Sequence, residues 1–253
     1  MKKLLFALLL AATAWPVHAE QFRVLLFTKT VGWHHQSLAE AVPALKQLAG
    51  KHHFTLDWSA NASGFTAENL AQYDAVLFVS TTGDVLNEEQ EAAFKAYIQS
   101  GKGFVGVHAA ADTEYGWDWF GQLVGRRFVI HPPVQSAIVK VQKRGFPGLE
   151  GLPDEFWWTD EWYEYGEEQV SGLNYLLTID ETTFDPRADW GERAKGDGMG
   201  EFHPIAWYHE FDGGRSFYTG MGHTAASWSD PRFLEHVFGG IHWAATGQGI
   251  RPR

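Results

Sequence analysis

Residues 75–80 have the sequence AVLFVS, residues 103–108 have the sequence GFVGVH, and a helix-like segment separates these two apolar runs. Continuous apolar runs of this length are typical of strands that are covered on both faces. Two further strand-like runs precede them, at residues 22–28 and 54–58. The first half of the chain therefore predicts four strands that alternate with helices.

Helix-start signals lie between these runs. Ser37 is followed by Glu40, and Asn87 by Gln90, and both pairs have the spacing of a capping box. Thr66 is expected to start a shorter helix. The resulting β-α-β-α-β-α-β order implies right-handed crossovers and a doubly wound, mainly parallel sheet. The predicted fold class is α/β.

The pattern changes in the second half of the chain, where strand-like runs follow one another directly. Residues 134–141 and 174–179 are strand-like, and the DGG sequence at residues 212–214 is a hairpin signal between two apolar runs. Pro231 is expected to start a final helix. We predict antiparallel additions to the sheet edge here. The long loop at 184–202 is expected to form a lid over a site.

The N-terminus has the features of an export signal. Lys2 and Lys3 precede an apolar run that closes on a small-residue pattern ending at Ala19. We therefore predict a signal peptide over residues 1–19, one domain over residues 20–253 and a periplasmic or secreted location. The run is shorter than the roughly 20 residues of a membrane-spanning helix, so no membrane association is expected after cleavage. A retained N-terminal anchor helix is the alternative.

The composition excludes several classes of function. The 253 residues contain 31 acidic and 20 basic side chains, with a formal net charge of −11, and this field would repel nucleic acid. There is no cysteine, which excludes disulfides, thiol nucleophiles and thiolate metal sites. The expected partner is a small molecule, and self-association into a homo-oligomer is left open.

Histidines follow several of the predicted strands. His34 and His35 follow the first strand, His108 ends the fourth, and His223 follows the hairpin. Ligands of open α/β sheets bind beyond the carboxyl ends of the strands, so we predict that these rings converge on one polar pocket. Asp112 is expected to accept a ring N–H from His108, with capping of a helix N-terminus as the alternative.

Two more histidines and an aromatic segment are candidates for the same pocket. His131 and His203 each precede a proline, and such rigid turns can direct a ring inward. Asp160, Glu161 and Trp162 lie in a run of aromatic residues, where carboxylates can bind sugar hydroxyls. A solvated edge strand would also explain these carboxylates.

Tryptophan is unusually frequent, with twelve residues in the chain, and its flat face suits the C–H faces of a sugar ring. We expect only two or three of the tryptophans to touch a ligand. The predicted substrate-binding set is Trp33, His34, His131, Asp160, Glu161, Trp162, His203 and Trp207. His236 and His242, on the final helix, are assigned to a polar face or a helix end.

Several of these segments together resemble the ThuA-like, or trehalose-utilisation, family. They are TKT at residues 28–30 followed by GWHH at 32–35, GFVGVHAA at 103–110, FVIHP at 128–132, DEWY at 160–163, PIAW at 204–207, and GH at 222–223 leading to SW at 227–228. The resemblance covers residues 24–246 and implies a flavodoxin-like, class I glutamine amidotransferase-like fold. It also implies a role in sugar catabolism, often beside oxidoreductases that make 3-keto sugars.

The resemblance includes one departure from the wider fold. Glutamine amidotransferases carry a nucleophilic cysteine on a sharp turn after a strand, and the matching position here is His108. Because the chain has no thiol, glutamine hydrolysis by that route is excluded.

Three functional hypotheses follow. The first is an enzyme that acts on a disaccharide or 3-keto-sugar by proton transfer, with His108 and His223 as acid and base, and His35 and Asp112 as orienting groups. The second is a metal-dependent hydrolase or isomerase, in which His35, His108 and His223 bind a divalent ion. The third is a non-catalytic carbohydrate-binding protein. The cofactor is unknown at this stage, and a divalent metal is an open alternative.

Overall fold

The structure of the protein is a computed structural model that describes residues 21–249. The predicted signal peptide and its cleavage site after Ala19 lie outside the described residues. Within residues 21–249, none of the helices has the length and apolar character that a membrane span requires.

Strands and helices alternate through the first half, and strands dominate the second half. The helices are α1 Leu38–His52, α2 Ala67–Leu70, α3 Glu88–Gln99, α4 Asp118–Val124 and α5 Pro231–Thr246. The strands are β1 Arg23–Phe27, β2 Thr55–Ser59, β3 Ala75–Val79, β4 Gly103–Val107, β5 Arg126–Ile130, β6 Gln135–Val141, β7 Glu155–Asp160, β8 Glu164–Glu168, β9 Asn174–Asp180, β10 Ala188–Asp189, β11 Lys195–Gly196, β12 His203–Phe211 and β13 Gly214–Thr219.

The central sheet is mixed, with a parallel part and an antiparallel part. Its nine strands have the order β2-β1-β3-β4-β13-β12-β9-β6-β7. The pairs from β2 to β13 are parallel, and those from β13 to β7 are antiparallel. The α/β class and the antiparallel strands of the second half are therefore confirmed. The second strand of the predicted hairpin, β13, lies in the middle of the sheet, directly beside β4.

Helices cover both faces of the parallel strands. In β1, Val24 and Leu26 pack in one apolar cluster with α1 and α5, whereas Leu25 and Phe27 pack in a second cluster with α2, α3 and α4. The alternation has the two-residue period of a strand. Burial on both faces explains why these strands have continuous apolar sequences.

The helix-start signals differ in outcome. The capping box of Asn87 and Gln90 is present, and the Thr66 side chain accepts a hydrogen bond from Asn69 N. The capping box predicted at Ser37 is wrong. Ser37 has helical backbone angles, and its Oγ donates to the carbonyl of Gly222 instead of capping α1. The start of α1 is thereby joined to the loop after β13.

The polar face predicted for His236 is also wrong. Its side chain is 1% exposed on α5 and packs against the ring of Phe217. Among the described residues, neither ring nitrogen has a hydrogen-bond partner. Burial lowers the pKa of His236 to about 4, so the folded chain holds this imidazole in its neutral form.

We predict that His236 makes the protein less stable as the pH falls from about 6.5 towards 4. In that window the unfolded chain binds a proton at this imidazole and the folded chain does not, so protonation favours unfolding. His236→Leu should remove about 2–3 kcal/mol of the stability loss at pH 4.5 and be neutral or stabilising at pH 7. Denaturant unfolding of both proteins at both pH values tests this. An identical pH dependence of the two proteins would contradict it.

Candidate functional site

Three histidines meet beyond the carboxyl ends of the parallel strands. His35 lies in the loop between β1 and α1, His108 directly follows β4, and His223 follows β13. The ring centroids of His35 and His108 are 4.8 Å apart, those of His108 and His223 5.2 Å, and those of His35 and His223 5.4 Å. The structure thus brings together histidines that are widely separated in sequence.

His108 is held in one orientation by its backbone and by its ring. The residue has a φ of 54°, a left-handed conformation that is uncommon for a non-glycine residue. Its carbonyl accepts a hydrogen bond from the Tyr218 hydroxyl. The ring Nδ1 lies 2.9 Å from the carbonyl of Gly220, which can only accept, so Nδ1 carries the proton. The lone pair of the neutral ring is then on Nε2, the nitrogen that faces the other histidines.

Glu161 lies at the centre of the histidines and is 8% exposed. Its Oε2 is 2.9 Å from Nδ1 of His223, 3.5 Å from Nε2 of His108 and 3.4 Å from Nε2 of His131. Burial raises the pKa of this carboxyl, but the adjacent His108 and His223 imidazoles outweigh burial and hold the pKa well below its usual range. Glu161 is therefore ionised.

His35 and His223 have different proton affinities at this site. Burial, and then the adjacent His108 and His223, lower the pKa of His35 to about 2, so His35 is neutral. Burial also lowers the pKa of His223, but the adjacent Glu161 carboxylate raises it overall. The result is a carboxylate surrounded by imidazoles that differ in proton affinity.

The donor atoms have the spacing of a metal-binding site. One atom each of His35, His108, Glu161 and His223 lies within 4.8 Å of the others. Bonds of 2.0–2.1 Å to a tetrahedral ion place ligand atoms about 3.3 Å apart, and the contacts among His108, His223 and Glu161 range from 2.9 to 3.5 Å. We call these four residues the HHEH cluster.

Two further observations fit a cation at the HHEH cluster. Nδ1 of His35 and Oε2 of Glu161 are buried and have no hydrogen-bond partner in the described part of the chain. The contact of His108 Nδ1 with a backbone carbonyl is the outer support that metal-binding histidines usually have. Three imidazoles and one carboxylate suit zinc or a similar divalent ion.

The HHEH cluster borders a cavity of about 420 Å³, here called the inner pocket. Besides three members of the cluster, its lining comprises Trp33, Asp112, Phe128, His131, Tyr163, Trp190 and Arg193. The volume is in the range of small-molecule sites, and aromatic walls suit the apolar faces of a sugar. A larger groove of about 790 Å³ beside β9 has no histidine in its lining.

Tyr163 is a site residue that the sequence interpretation missed. Its hydroxyl lies 2.8 Å from Nε2 of His108, and its ring stacks beside that of His131. Burial raises the pKa of Tyr163 well above its usual value, so the phenol stays protonated and donates. Its position two residues beyond Glu161, within the DEWY segment, was the available signal.

The predicted lid segment contributes to the pocket wall. Residues 184–202 contain the short antiparallel pair of β10 and β11. Trp190 and Arg193 of this segment line the inner pocket, with the Arg193 guanidinium 5.3 Å from the Trp190 ring centroid. Opening and closing of this segment stays a prediction.

Two predicted carboxylate roles need correction. Asp112 lines the pocket, but both ring nitrogens of His108 have other partners, so the predicted contact between them is wrong. Asp160 is fully buried and does not line the pocket. It accepts hydrogen bonds from the backbone N–H groups of Gly222 and His223, both at 2.9 Å, and therefore supports the loop that carries His223.

Four other predicted substrate-binding residues do not line the inner pocket. Trp162 and Trp207 are buried, and their indole N–H groups donate to Gln135 O and Val124 O, so a ligand cannot reach them. His203 is buried, and its Nε2 contacts the carbonyl of Tyr163. His34 is exposed, beside Thr30 and outside the inner pocket.

The fold defines an α/β protein with a mixed central sheet and a histidine-rich strand edge. The sequence model of the ThuA family, described as trehalose utilisation, matches residues 23–244. The chain belongs to the ThuA family, as its motifs suggested, and is by that membership a carbohydrate protein related to trehalose utilisation.

Solved structures agree with this fold. A ThuA-like protein of Bacteroides uniformis is 22% identical with a TM-score of 0.74, and the match covers 92% of this chain and 95% of that one. A ThuA-like protein of Parabacteroides merdae is 21% identical with a TM-score of 0.73, covering 92% of both chains. A cytoplasmic protein of Salmonella typhimurium is 11% identical with a TM-score of 0.60, covering 87% and 98%. No curated protein sequence matches the chain.

We predict that Asp160→Asn lowers the free energy of unfolding by about 1–3 kcal/mol. The carboxylate now accepts hydrogen bonds from two backbone N–H groups. In the asparagine variant the amide NH₂ would face one of these N–H groups and leave a buried donor unpaired. Asp154→Asn, on an exposed side chain near the other end of β7, is the matched control and should change stability by less than about 0.5 kcal/mol. Denaturant unfolding measures both, and equal stabilities of the two variants would contradict the role of Asp160.

Proposed function

We propose that this chain is a metal-dependent enzyme that acts on a disaccharide or a keto-sugar. The observation that carries the proposal is the convergence of three imidazoles and one ionised carboxylate beside an aromatic-walled pocket. Membership of the ThuA family supports a carbohydrate as the ligand. The export signal proposed for residues 1–19 would place the activity outside the cytoplasm.

The contacts of His108 favour metal binding over direct acid–base catalysis by this residue. Its side chain is fully buried, and its Nδ1 is held by Gly220 O. A general base must lie within hydrogen-bonding reach of the proton that it removes. Since His108 does not line the inner pocket, it is better suited to hold an ion than to touch a substrate.

The HHEH cluster would hold the ion, and a bound divalent ion polarises a carbonyl or hydroxyl oxygen of the sugar. The residues around the cluster would contact the sugar and position the histidine rings. Phe128 and Trp190 offer apolar faces to the sugar ring. With the ion on Nε2 of His108, the Tyr163 hydroxyl would no longer donate to that atom, and the Tyr163 ring, which packs beside those of His108 and His131, would limit their movement.

His131 is our candidate for proton transfer. It lines the inner pocket with a side chain that is 21% exposed, and its Nδ1 contacts Pro132 O, which leaves the lone pair on Nε2. A carbon beside a ketone is acidic enough for an imidazole to remove its proton. In that step the C–H proton passes to Nε2, the C–H electron pair forms a carbon–carbon double bond, and the π pair of the carbonyl moves to its oxygen. Transfer of the hydroxyl proton of the same carbon to that oxygen, and return of the proton from Nε2 to the former carbonyl carbon, gives isomerisation.

We predict that protein purified without chelator contains about one divalent ion per chain by elemental analysis. Glu161→Gln and His223→Ala should lose most of it, because each removes one of four ligands. His242→Ala, on α5 outside the cluster, is the matched control and should keep it. A chelator should lower the melting temperature by about 5–10 °C, the shift for a site that was about 100-fold saturated. A metal-free preparation with unchanged melting temperature would contradict the metal site.

We predict that the metal-loaded protein converts a 3-keto-glucoside, followed by NMR of the sugar. His131→Ala should slow the conversion by about 100-fold or more with its metal content unchanged, because general-base catalysis contributes 10²–10⁴-fold. His242→Ala should convert the sugar at the wild-type rate. If the metal-loaded wild type leaves both the keto-sugars and their parent disaccharides unchanged, the enzymatic proposal is wrong.

A further inference from the structure

A second cavity shares part of its lining with the inner pocket. This outer cleft has a volume of about 780 Å³, and its lining includes His34, Gln36, Glu40, Val134 and Thr224. Trp33, His35 and His223 line both cavities. A ligand that extends beyond the inner pocket would therefore pass the HHEH cluster and enter the outer cleft.

Trp33 is an exposed aromatic ring on a fixed backbone. The side chain is 73% exposed and makes no ring contact with another aromatic residue in the described part of the chain. Its carbonyl accepts a hydrogen bond of 2.9 Å from the Thr82 hydroxyl. The N–H groups of Val31 and Gly32 donate to Thr82 O at 2.8 and 3.2 Å. The fold thus holds a large apolar side chain in water at a fixed position.

Exposure alone does not distinguish Trp33, but its location does. Trp157 is 60% exposed on the edge strand β7 and lines neither cavity. Trp58 is 49% exposed, but its N–H donates to Thr28 and its ring is covered by Lys46. Trp33 alone among these three stands between two cavities that share the histidines.

The polar rim of the outer cleft indicates a neutral ligand rich in hydroxyl groups. Gln36, Glu40 and Thr224 offer amide, carboxylate and hydroxyl groups to such a ligand. The described residues that line the cleft include no lysine or arginine, and the carboxylate of Glu40 disfavours an anion. An indole face with a polar rim suits a pyranose ring, whose C–H groups stack on the aromatic face.

We infer that the outer cleft binds the second sugar ring of a glycoside whose first ring occupies the inner pocket, with Trp33 as the stacking surface. The inference rests on the proposed function for the first ring and narrows the substrate class. It makes the substrate a disaccharide or a similar neutral glycoside, bound with its linkage over His35 and His223, rather than a free monosaccharide.

The test compares wild type with Trp33→Ala, Trp33→Phe and the matched control Trp157→Ala. Calorimetric titration with trehalose, other α- and β-linked glucosyl disaccharides and glucose measures binding without turnover. The ratio of kcat/KM for a 3-keto-disaccharide to that for 3-keto-glucose measures the same preference during turnover. Trp33→Ala should reduce the preference for two rings by about tenfold, Trp33→Phe by less, and Trp157→Ala should leave it unchanged. Circular dichroism confirms that each variant folds.

The outcomes separate this inference from the proposed function. A disaccharide preference that survives Trp33→Ala, or a wild type with no preference for two rings, overturns the outer subsite even if keto-sugars are converted. Binding that prefers two rings and depends on Trp33 supports the subsite even if no sugar is converted, in which case only the enzymatic proposal fails.

Discussion

The burial of the Glu161 carboxylate is the constraint on which the site depends. An ionised carboxylate cannot leave water without compensation, because the loss of hydration costs several kcal/mol. Here the nearest compensating group is His223 after β13, whose Nδ1 lies 2.9 Å from Oε2 and whose pKa this carboxylate raises. The charge of one side chain from the antiparallel part of the sheet therefore holds the loop that follows the parallel strand β13, and Nε2 of His108 and of His131 lie beside the same oxygen at 3.5 and 3.4 Å.

Asp160 and Glu161 are neighbours with different tasks. Asp160 accepts hydrogen bonds from the backbone of the loop at residues 222–223, and Glu161 contacts the imidazoles, including that of His223 on the same loop. The loop at residues 222–223 is thus held at two points, by its backbone N–H groups and by the His223 side chain. Because both carboxylates lie at the end of β7, the outermost strand of the antiparallel part positions a histidine that follows the parallel strand β13.

The sequence predicted what depends on local pattern and on a general rule for α/β folds. Apolar runs predicted β1, β3 and β4, and the strand-end rule selected His35, His108 and His223, whose rings the structure brings together. The rule works because the carboxyl ends of parallel strands share one edge of the sheet. It carries no information on which way a side chain faces, which explains the errors at Trp162 and Trp207.

Other features depended on contacts that are distant in sequence. The hairpin signal was correct, but nothing local shows that β13 pairs with β4 in the middle of the sheet instead of adding at its edge. This position matters, since it brings the carbonyl of Gly220 to Nδ1 of His108 and fixes the tautomer. The environment of His236 also depends on a contact that is distant in sequence. Periodicity placed it on a helix, and only the packing against Phe217 makes it a buried neutral imidazole.

The cluster carries several unfavourable features at once. A left-handed His108 costs about 1–3 kcal/mol, and each buried polar atom without a partner costs a similar amount. Such features persist only where the surrounding structure fixes them, and here apolar clusters on both faces of the sheet supply that support. A cation among the four donors would offset the unpaired atoms of His35 and Glu161 directly. Other buried atoms without a partner, such as both ring nitrogens of His236, lie outside the cluster, so an ion would stabilise only the part of these unfavourable terms that belongs to His35 and Glu161.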